Sequence, residues 1–321
     1  MTTAAFRAAT LKRADPFRRD LKALSVEDFL SLEIPPREFL LSPWLPSQGV
    51  VMVFAQRGVG KTFFGLGVAY AVASGGQFLN WDAPQARKVL YVDGEMPAVA
   101  MQERLAGIVA AVDKEAPPDF LRIVTPDLQE VGIPDLSDLS GQSLVDEQLE
   151  DAELLILDNL SCLFRGGIEN EAESWGPVQE WVLRLRQQHI STMFIHHAGK
   201  NGAQRGTSKR EDIMDSVIQL KHPLDYQAPD GCRFEIHFDK ARGLFGAAAR
   251  PIDARMETRD GKVFWTTKDS DERMTERVVE YSNLGLTLRQ TAKELGVSKS
   301  TVSRHRQKAI TLGLLKEEKP K

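Results

Sequence analysis

The stretch Val50-Val51-Met52-Val53-Phe54-Ala55-Gln56-Arg57-Gly58-Val59-Gly60-Lys61-Thr62 has the residue types of a phosphate cradle. The apolar run reads as a buried strand, the glycine-containing segment as a turn, and Lys61-Thr62 as the start of a helix. In such a turn Gln56, Arg57, Gly58, Val59 and Gly60 form the loop. The backbone N–H groups from Arg57 to Thr62 point inward at a β-phosphate, and the helix N-terminus adds partial positive charge. Lys61 would reach the β- and γ-phosphates, and the Thr62 hydroxyl would hold Mg²⁺. Ala55 stands where the usual pattern has its first glycine, and its Cβ is small enough for the loop to close. The competing reading, a plain glycine turn, is disfavoured by Gly-Val-Gly-Lys-Thr directly after a strand.

Three more apolar runs end in polar groups. Lys88-Val89-Leu90-Tyr91-Val92 leads to Asp93-Gly94-Glu95, Leu154-Leu155-Ile156-Leu157 to Asp158-Asn159, and Thr192-Met193-Phe194-Ile195 to His196-His197. Ligands of an open parallel sheet bind at the carboxyl ends of its strands, so these groups would converge over one nucleotide. Asp158 after four aliphatic residues has the form of a Walker B strand and would orient Mg²⁺ through water, opposite Thr62. Glu95, one strand over, is the candidate general base for the attacking water. His197, or else His196, would sense the γ-phosphate as a neutral donor. Taken singly, Asp158 could be a helix N-cap, Glu95 a solvated loop carboxylate and the histidines a polar strand end. Lys61 is what joins them into one site.

Elements that could position these groups are legible. Helical patterns at residues 62–74, 99–112 and 175–188 alternate with the strands, with a further strand at Leu121-Arg122-Ile123-Val124. That alternation implies right-handed βαβ units and a mostly parallel sheet. After about residue 212 the strands crowd together, at 216–220, 232–238, 252–256 and 263–266, as in an antiparallel extension. Residues 1–24 read as a basic arm, followed by a short helix capped by Ser25 and ended by Pro35-Pro36. The expected division is an arm and short helix over 1–34, a P-loop ATPase domain over 35–268 and a small helical domain over 272–316.

A chain of 321 residues accommodates one large α/β domain and one small one. With 42% apolar and 27% charged residues it reads as a soluble globular protein. No run is long and apolar enough to cross a membrane and no secretory h-region is visible, so the expected place is the cytoplasm. The two cysteines, Cys162 and Cys232, are 70 residues apart, which excludes a disulfide scaffold or a cysteine-rich metal site. The formal net charge of −4 conceals an asymmetry: residues 272–321 carry +5 and the remainder −9. A basic tail on an acidic body suggests a nucleic-acid contact there.

The order Gly-Val-Gly-Lys-Thr, Val-Asp-Gly-Glu, Leu-Leu-Ile-Leu-Asp-Asn-Leu and Phe-Ile-His-His-Ala-Gly-Lys…Arg-Gly-Thr-Ser resembles the RecA-like hexameric ATPases. Within them it looks like the RepA-type plasmid helicases, over residues 35 to 266. That resemblance implies a ring, a glutamate base after the second strand, and channel loops that track single-stranded DNA. Lys200, Arg205 and Lys209, among the glycines after His197, would be the channel cations, with Phe164-Arg165-Gly166-Gly167 as a companion loop. Arg205 could instead lie at a subunit boundary. Phe238-Asp239-Lys240-Ala241-Arg242-Gly243 looks like the Lys-x-Arg-Gly element of DnaB-type helicases. By that likeness Lys240 and Arg242 act on the neighbouring subunit's ATP, with Arg242 as arginine finger. Two surface cations on an edge strand are the plain alternative.

Thr287-Leu288-Arg289-Gln290-Thr291-Ala292-Lys293-Glu294-Leu295-Gly296-Val297-Ser298 reads as a capped helix, a tight glycine turn and a second cap. The helix after Ser298 offers Lys299, Arg304 and Arg306 outward, so the segment reads as a helix-turn-helix that binds duplex DNA. Leu312-Gly313-Leu314-Leu315 resembles the start of a short wing. The expectation is therefore a RecA-like, ring-forming ATPase, by resemblance a hexamer and a replicative helicase, with ATP and Mg²⁺ as ligands. DNA, further copies of the chain and replication proteins are its expected partners. An ATP-switched DNA-binding regulator is the alternative. A small-molecule P-loop kinase would leave Lys240, Arg242 and the helix-turn-helix without work.

Overall fold

The structure is a computed structural model that describes residues 22–166, 175–199 and 211–316. The basic arm up to residue 21, Gly167, and the loop carrying Lys200, Arg205 and Lys209 lie outside the described residues. At the centre stands a nine-stranded sheet. Its strands in chain order are β1 (Val50–Ala55), β2 (Val89–Asp93), β3 (Leu121–Val124), β4 (Leu154–Asp158), β5 (Ser191–His197), β6 (Ser216–Lys221), β7 (Arg233–Ala241), β8 (Ile252–Arg259) and β9 (Lys262–Asp269). In space the order is β9-β8-β7-β6-β1-β5-β4-β2-β3. From β6 to β3 all neighbours run parallel, and β7, β8 and β9 extend the sheet antiparallel from β6. This is a RecA-like P-loop core whose antiparallel extension begins at β7, one strand later than expected, since the strand at 216–221 returns parallel to β1.

The strands are continuous apolar runs because both faces of the sheet are covered. All six residues of β1 are buried. Their alternation feeds two cores: Val51 and Val53 pack with helix α1 (Lys61–Ser74) on one face, while Val50, Met52 and Phe54 pack with α4 (Gly176–Gln187) on the other. Helix α1 has almost no exposed side, and a Cβ at Gly67 would fall 2.2 Å from the Phe78 ring. Small residues on α1 therefore let it sink between the sheet and an aromatic layer of Trp44, Phe78 and Trp81. Two short hairpins supply that layer, Phe39–Leu41 with Leu45–Pro46 and Gln77–Phe78 with Trp81–Asp82. The remaining covering helices are α2 (Ala98–Val109) and α3 (Leu139–Leu149), the latter capped by Asp138 through a 2.9 Å bond from the Gly141 N–H. Neither hairpin nor α3 follows from the apolar periodicity, because the hairpins are two- and three-residue strands and α3 is largely polar.

Helix α5 (Ser270–Asn283) follows β9 with no linker, capped by Asp269, so the small domain starts two residues earlier than expected. With α6 (Leu288–Glu294) and α7 (Lys299–Thr311) it encloses its own core of Val278, Ala292, Leu295 and Val302. Thr287 and Gln290 form the capping box of α6, and the Ser298 hydroxyl caps α7 through the Thr301 N–H at 3.1 Å. No strand follows α7 among the described residues, so the expected wing is not part of this three-helix unit.

An ionic seam fastens that unit to the sheet. Arg233 of β7, 2% exposed, pairs with Asp253 of β8 at 2.9 Å, Asp225 at 2.8 Å and Asp230 at 3.0 Å. From α5, Arg273 reaches Asp253 at 2.9 Å and Arg277 reaches Asp225 at 3.7 Å. Three arginines and three aspartates thus balance. Removing one member of such a buried set leaves a charge uncompensated, typically at a cost of about 3–5 kcal/mol. Arg233→Ala should therefore lower stability towards urea by roughly 3 kcal/mol, whereas Arg273→Ala, on the more exposed side, should cost about 1 kcal/mol or less. Equal midpoints for the two variants would contradict the assignment of Arg233 as hub.

Candidate active site

The carboxyl ends of β1, β2, β4 and β5 are neighbours in the sheet, and the polar residues after them enclose a cleft of about 490 Å³. Beyond Ala55 the chain turns through exposed Gln56, Arg57 and Gly58. Gly58 and Gly60 have φ of +81° and +118°, in the region that favours glycine. Gly60 is also needed for space, since a Cβ there would stand 2.6 Å from the Cys232 sulfur. Val59 is buried and points its side chain into the core. Helix α1 opens at Lys61 with no side-chain cap, so its first N–H groups are left for a ligand. Lys61 is 7% exposed, and its ammonium donates to the carbonyls of Ala55 at 3.2 Å and Gln56 at 3.0 Å. Burial lowers its pKa, with Arg57 adding to this, while Asp158 and Glu95 oppose it.

Asp158 is 3% exposed at the end of β4. Burial raises its pKa, and the Tyr91 hydroxyl at 2.7 Å, the Thr62 hydroxyl and Lys61 counter that rise. A hydroxyl and a carboxylate side by side are the oxygen donors Mg²⁺ takes when phosphates complete its shell. Residues Thr62 and Asp158 fit that ion. When bound, it supplies neutralisation of charge on the β- and γ-phosphate oxygens. Among the described residues no cluster of three or more carboxylate, histidine or cysteine side chains forms a metal site by itself.

Glu95 lies on the loop after β2, and its side chain is 61% exposed. Asp93 holds that loop from below, accepting the N–H groups of Met96 at 2.7 Å and Glu95 at 3.3 Å. Asn159 donates to Glu95 Oε2 at 2.5 Å, and His197 Nε2 stands 3.8 Å from the same oxygen. The two histidines, adjacent on a strand, face opposite ways. His196 is fully buried, whereas His197 lines the cleft, which favours His197 for the phosphate-sensing position. Burial first, then Lys61, lowers the pKa of His197, so its imidazole is neutral at neutral pH.

Several cleft residues carry no signal in the sequence. Arg104 of α2 places its guanidinium 4.8 Å from the Phe63 ring centre, and both line the cleft beside Thr62. Gly231 and Cys232 enter from the far side of β6. Nothing in the local pattern marks these positions, since α2 reads only as an amphipathic helix and the 231–232 contact depends on sheet order. Asp93 and Asn159 sit beside residues singled out from the sequence, but their work shows only in the hydrogen bonds.

Lys240 and Arg242 are not in this cleft. Ala241 is paired with Ser216, which is level with Val51, whereas the P-loop leaves the sheet after Ala55. At about 3.3 Å per residue Lys240, level with Met52, lies roughly 10 Å and Arg242 roughly 16 Å down the strands from their own phosphate cradle. There Lys240 donates to the Glu211 carbonyl, and Arg242 donates to the Asp212 carbonyl at 3.0 Å. On α7, Lys299 and Arg304 are exposed while Arg306 is only half-exposed. Asp271 of α5 draws in Lys308 at 2.6 Å and lies 4.0 Å from Arg304.

A strand, a glycine turn with an open helix N-terminus, a buried lysine and a Thr–Asp oxygen pair define a P-loop nucleoside triphosphatase. The chain belongs to the AAA domain family, whose profile matches residues 13–203. The matched segment contains the P-loop, Glu95, Asp158 and His197, and ends before Lys240, Arg242 and the C-terminal helices. A KaiC-like protein of the hyperthermophilic archaeon Pyrococcus horikoshii OT3 is a similar solved structure. It is 15% identical, with a TM-score of 0.48 over 71% of this chain and 93% of that chain. No helix among the described residues is long and apolar enough to cross a membrane.

Two measurements probe the cleft. Lys61→Ala should abolish nucleotide binding or hydrolysis, whereas Glu95→Gln should bind ATP yet turn over about 10²–10⁴-fold more slowly; turnover at the parent rate would remove Glu95 as base. Asp93 gives a pH signature. Burial first, and then the charges of Asp158 and Glu95, push its pKa up to about 7 against the two N–H bonds. Its contribution to stability is complete below the unfolded pKa near 4 and is lost as pH rises through about 7. Asp93→Asn keeps an acceptor for both N–H groups, so it should exceed the parent in stability at pH 8 by on the order of 2 kcal/mol. The advantage should vanish towards pH 4, and a pH-independent difference would contradict the shift.

Proposed function

We propose that this chain is the subunit of a ring, a hexamer by resemblance, that couples ATP hydrolysis to movement on single-stranded DNA. A replicative helicase of a plasmid, phage or other mobile element is the role this supports best. The observation that carries the reading is the placement of Lys240 and Arg242. They lie too far down the sheet to serve their own phosphates, and they are free to add to the cleft's own Lys61, Arg57 and Arg104 where charge spreads over the γ-phosphate oxygens of a neighbouring site in the transition state. A second copy of the chain, packed edge to cleft, would bring its Arg242 to that charge and Lys240 beside it. Each ATP would then lie between two subunits, held by one and completed by the next.

DNA contact would fall to Lys200, Arg205 and Lys209, which directly follow the phosphate-sensing strand in sequence, with duplex contact through Lys299, Arg304 and Arg306 of α7. Two basic regions suit two DNA forms, a backbone-tracking grip for single strands and a helix-in-groove contact for duplex. The ionic seam favours a second reading. A helix-turn-helix bolted to the ATPase by Arg233, Arg273 and Arg277 suits an ATP-switched DNA binder that loads other replication proteins without unwinding. Displacement of an annealed strand would support the first reading, and DNA-stimulated hydrolysis without displacement the second.

Assembly and chemistry can be tested together. Arg242→Ala subunits should bind ATP and hydrolyse it up to ~10³-fold more slowly, the range of an arginine finger. Mixed with Lys61→Ala subunits, they should regain activity, because some boundaries would then join an intact P-loop to an intact Arg242. The measurement is a titration of the two inactive proteins at fixed total concentration, after each is shown to assemble. A flat, inactive line at every ratio would overturn the shared site.

A further inference from the structure

Asn159 is a buried polar side chain of the cleft with no part in the reaction described so far. It is 3% exposed, follows Asp158 directly, and its two amide ends serve different elements. The Oδ1 atom accepts the Cys162 N–H at 3.2 Å and caps the short helix Leu160–Leu163. The Nδ2 group donates to Glu95 Oε2 at 2.5 Å. Because the cap fixes the carbonyl end, the amide nitrogen has a single direction left. That same Oε2 has Cys162 Sγ at 3.7 Å and His197 Nε2 at 3.8 Å. Among the described residues no hydrogen bond engages Oε1. Glu95 is thus held at two points, its backbone by Asp93 from β2 and one carboxylate oxygen by Asn159 from the end of β4.

We propose that Asn159 is a positioning residue that tethers Glu95 by Oε2 and so presents Oε1 to the attacking water; this rests on the reading of Glu95 as general base. An exposed glutamate on a loop has three free side-chain torsions, and a misplacement of about 1 Å can cost ~10²-fold in rate. The tether removes that freedom before the substrate arrives. In the step it serves, a water proton passes to Glu95 Oε1 as the water oxygen bonds to the γ-phosphorus. The bond from the γ-phosphorus to the β–γ bridging oxygen breaks, and its electron pair leaves with ADP. The type of residue follows from the two duties. Serine would cap the helix but its hydroxyl is too short to reach Glu95, and aspartate would cap it but set one carboxylate against another.

The test separates the cap from the tether. Asn159→Ser keeps a good N-cap and loses the donor, while Asn159→Ala loses both. In the full-length protein, both should lower kcat for ATP by about 10- to 100-fold, the scale of one hydrogen bond to a charged group. KM should stay within about twofold, and only the alanine variant should melt earlier. In a Glu95→Gln background, Asn159→Ser should cause no further loss. Parent-like kcat in Asn159→Ser, with loss only in Asn159→Ala, would make Asn159 a cap alone and overturn the proposal. So would an equal further loss in the Glu95→Gln background, which would place its action elsewhere. Should Glu95→Gln itself turn over at the parent rate, the base assignment fails first and the tether has no purpose. Binding of a fluorescent ATP analogue by each variant confirms a folded site.

Discussion

The buried carboxylate of Asp158 is the constraint on which the site depends. A charge at 3% exposure is tolerated only if it is paired and hydrogen-bonded. Its three partners come from two places: the Tyr91 hydroxyl from the next strand, and the Thr62 hydroxyl and the Lys61 charge from the first turn of α1. Satisfying one carboxylate therefore fixes the register of β2 against β4 and the height of α1 above the sheet. In that register Asp93 and Asp158 are direct neighbours, so two acids share one corner. Burial and the proximity of Asp158 raise the Asp93 pKa, and its two N–H bonds hold the Glu95 loop. The catalytic geometry is a consequence of how a buried charge is neutralised.

A second electrostatic problem is solved at the other side of the sheet. Arg233 is as buried as any apolar core residue, yet three aspartates from two elements surround it. The residue before it, Cys232, touches the P-loop, with its thiol 3.9 Å from the Val59 carbonyl and directly against Gly60. Through the consecutive residues Cys232 and Arg233, the phosphate loop and the ionic seam of the C-terminal helices are thus one chain of contacts. The attachment centres on the buried pair Arg233–Asp253, neither of which can leave without stranding the other, while Arg273 and Arg277 add to it from the more exposed side.

Contiguity decided what could be read from the sequence. Val50 to Thr62, Leu154 to Asp158 and Ser298 to Arg306 carry their meaning in consecutive residues, and the strands and the α6–α7 turn lie where the pattern puts them, whereas the parallel-to-antiparallel change comes one strand later, after β6, because strand direction depends on the connection and not on local spacing. The cleft walls were not legible. Arg104, Gly231 and Cys232 arrive there because of strand order and helix rotation, which no local spacing encodes. The two hairpins were hidden by their length, and α3 by its polar surface. Asn159 looked like the tail of the Walker B strand; that it bonds Glu95, 64 positions earlier, depends on the pairing of β2 with β4. The wing is the reverse case: Leu312-Gly313-Leu314-Leu315 has the composition of a strand start, but among the described residues it forms a turn.

Burial also separates the groups by the roles proposed for them. Lys61 and Asp158, assigned to ground-state phosphates and metal, are interior and anchored by several bonds each. Glu95 and Arg242, assigned to the transition state, are exposed and lie on loops. Water must reach a base, and a finger that acts on another subunit must stand proud of its own. Exposure, however, costs precision, since a solvated side chain samples many rotamers and an effective catalytic group tolerates little displacement. Each exposed group is accordingly tied by a short polar contact to a rigid neighbour: Glu95 to Asn159 at the end of β4, and Arg242 to the Asp212 carbonyl beside β6. A reach into solvent combined with an anchor in the sheet lets a loop residue act with the accuracy of a core one.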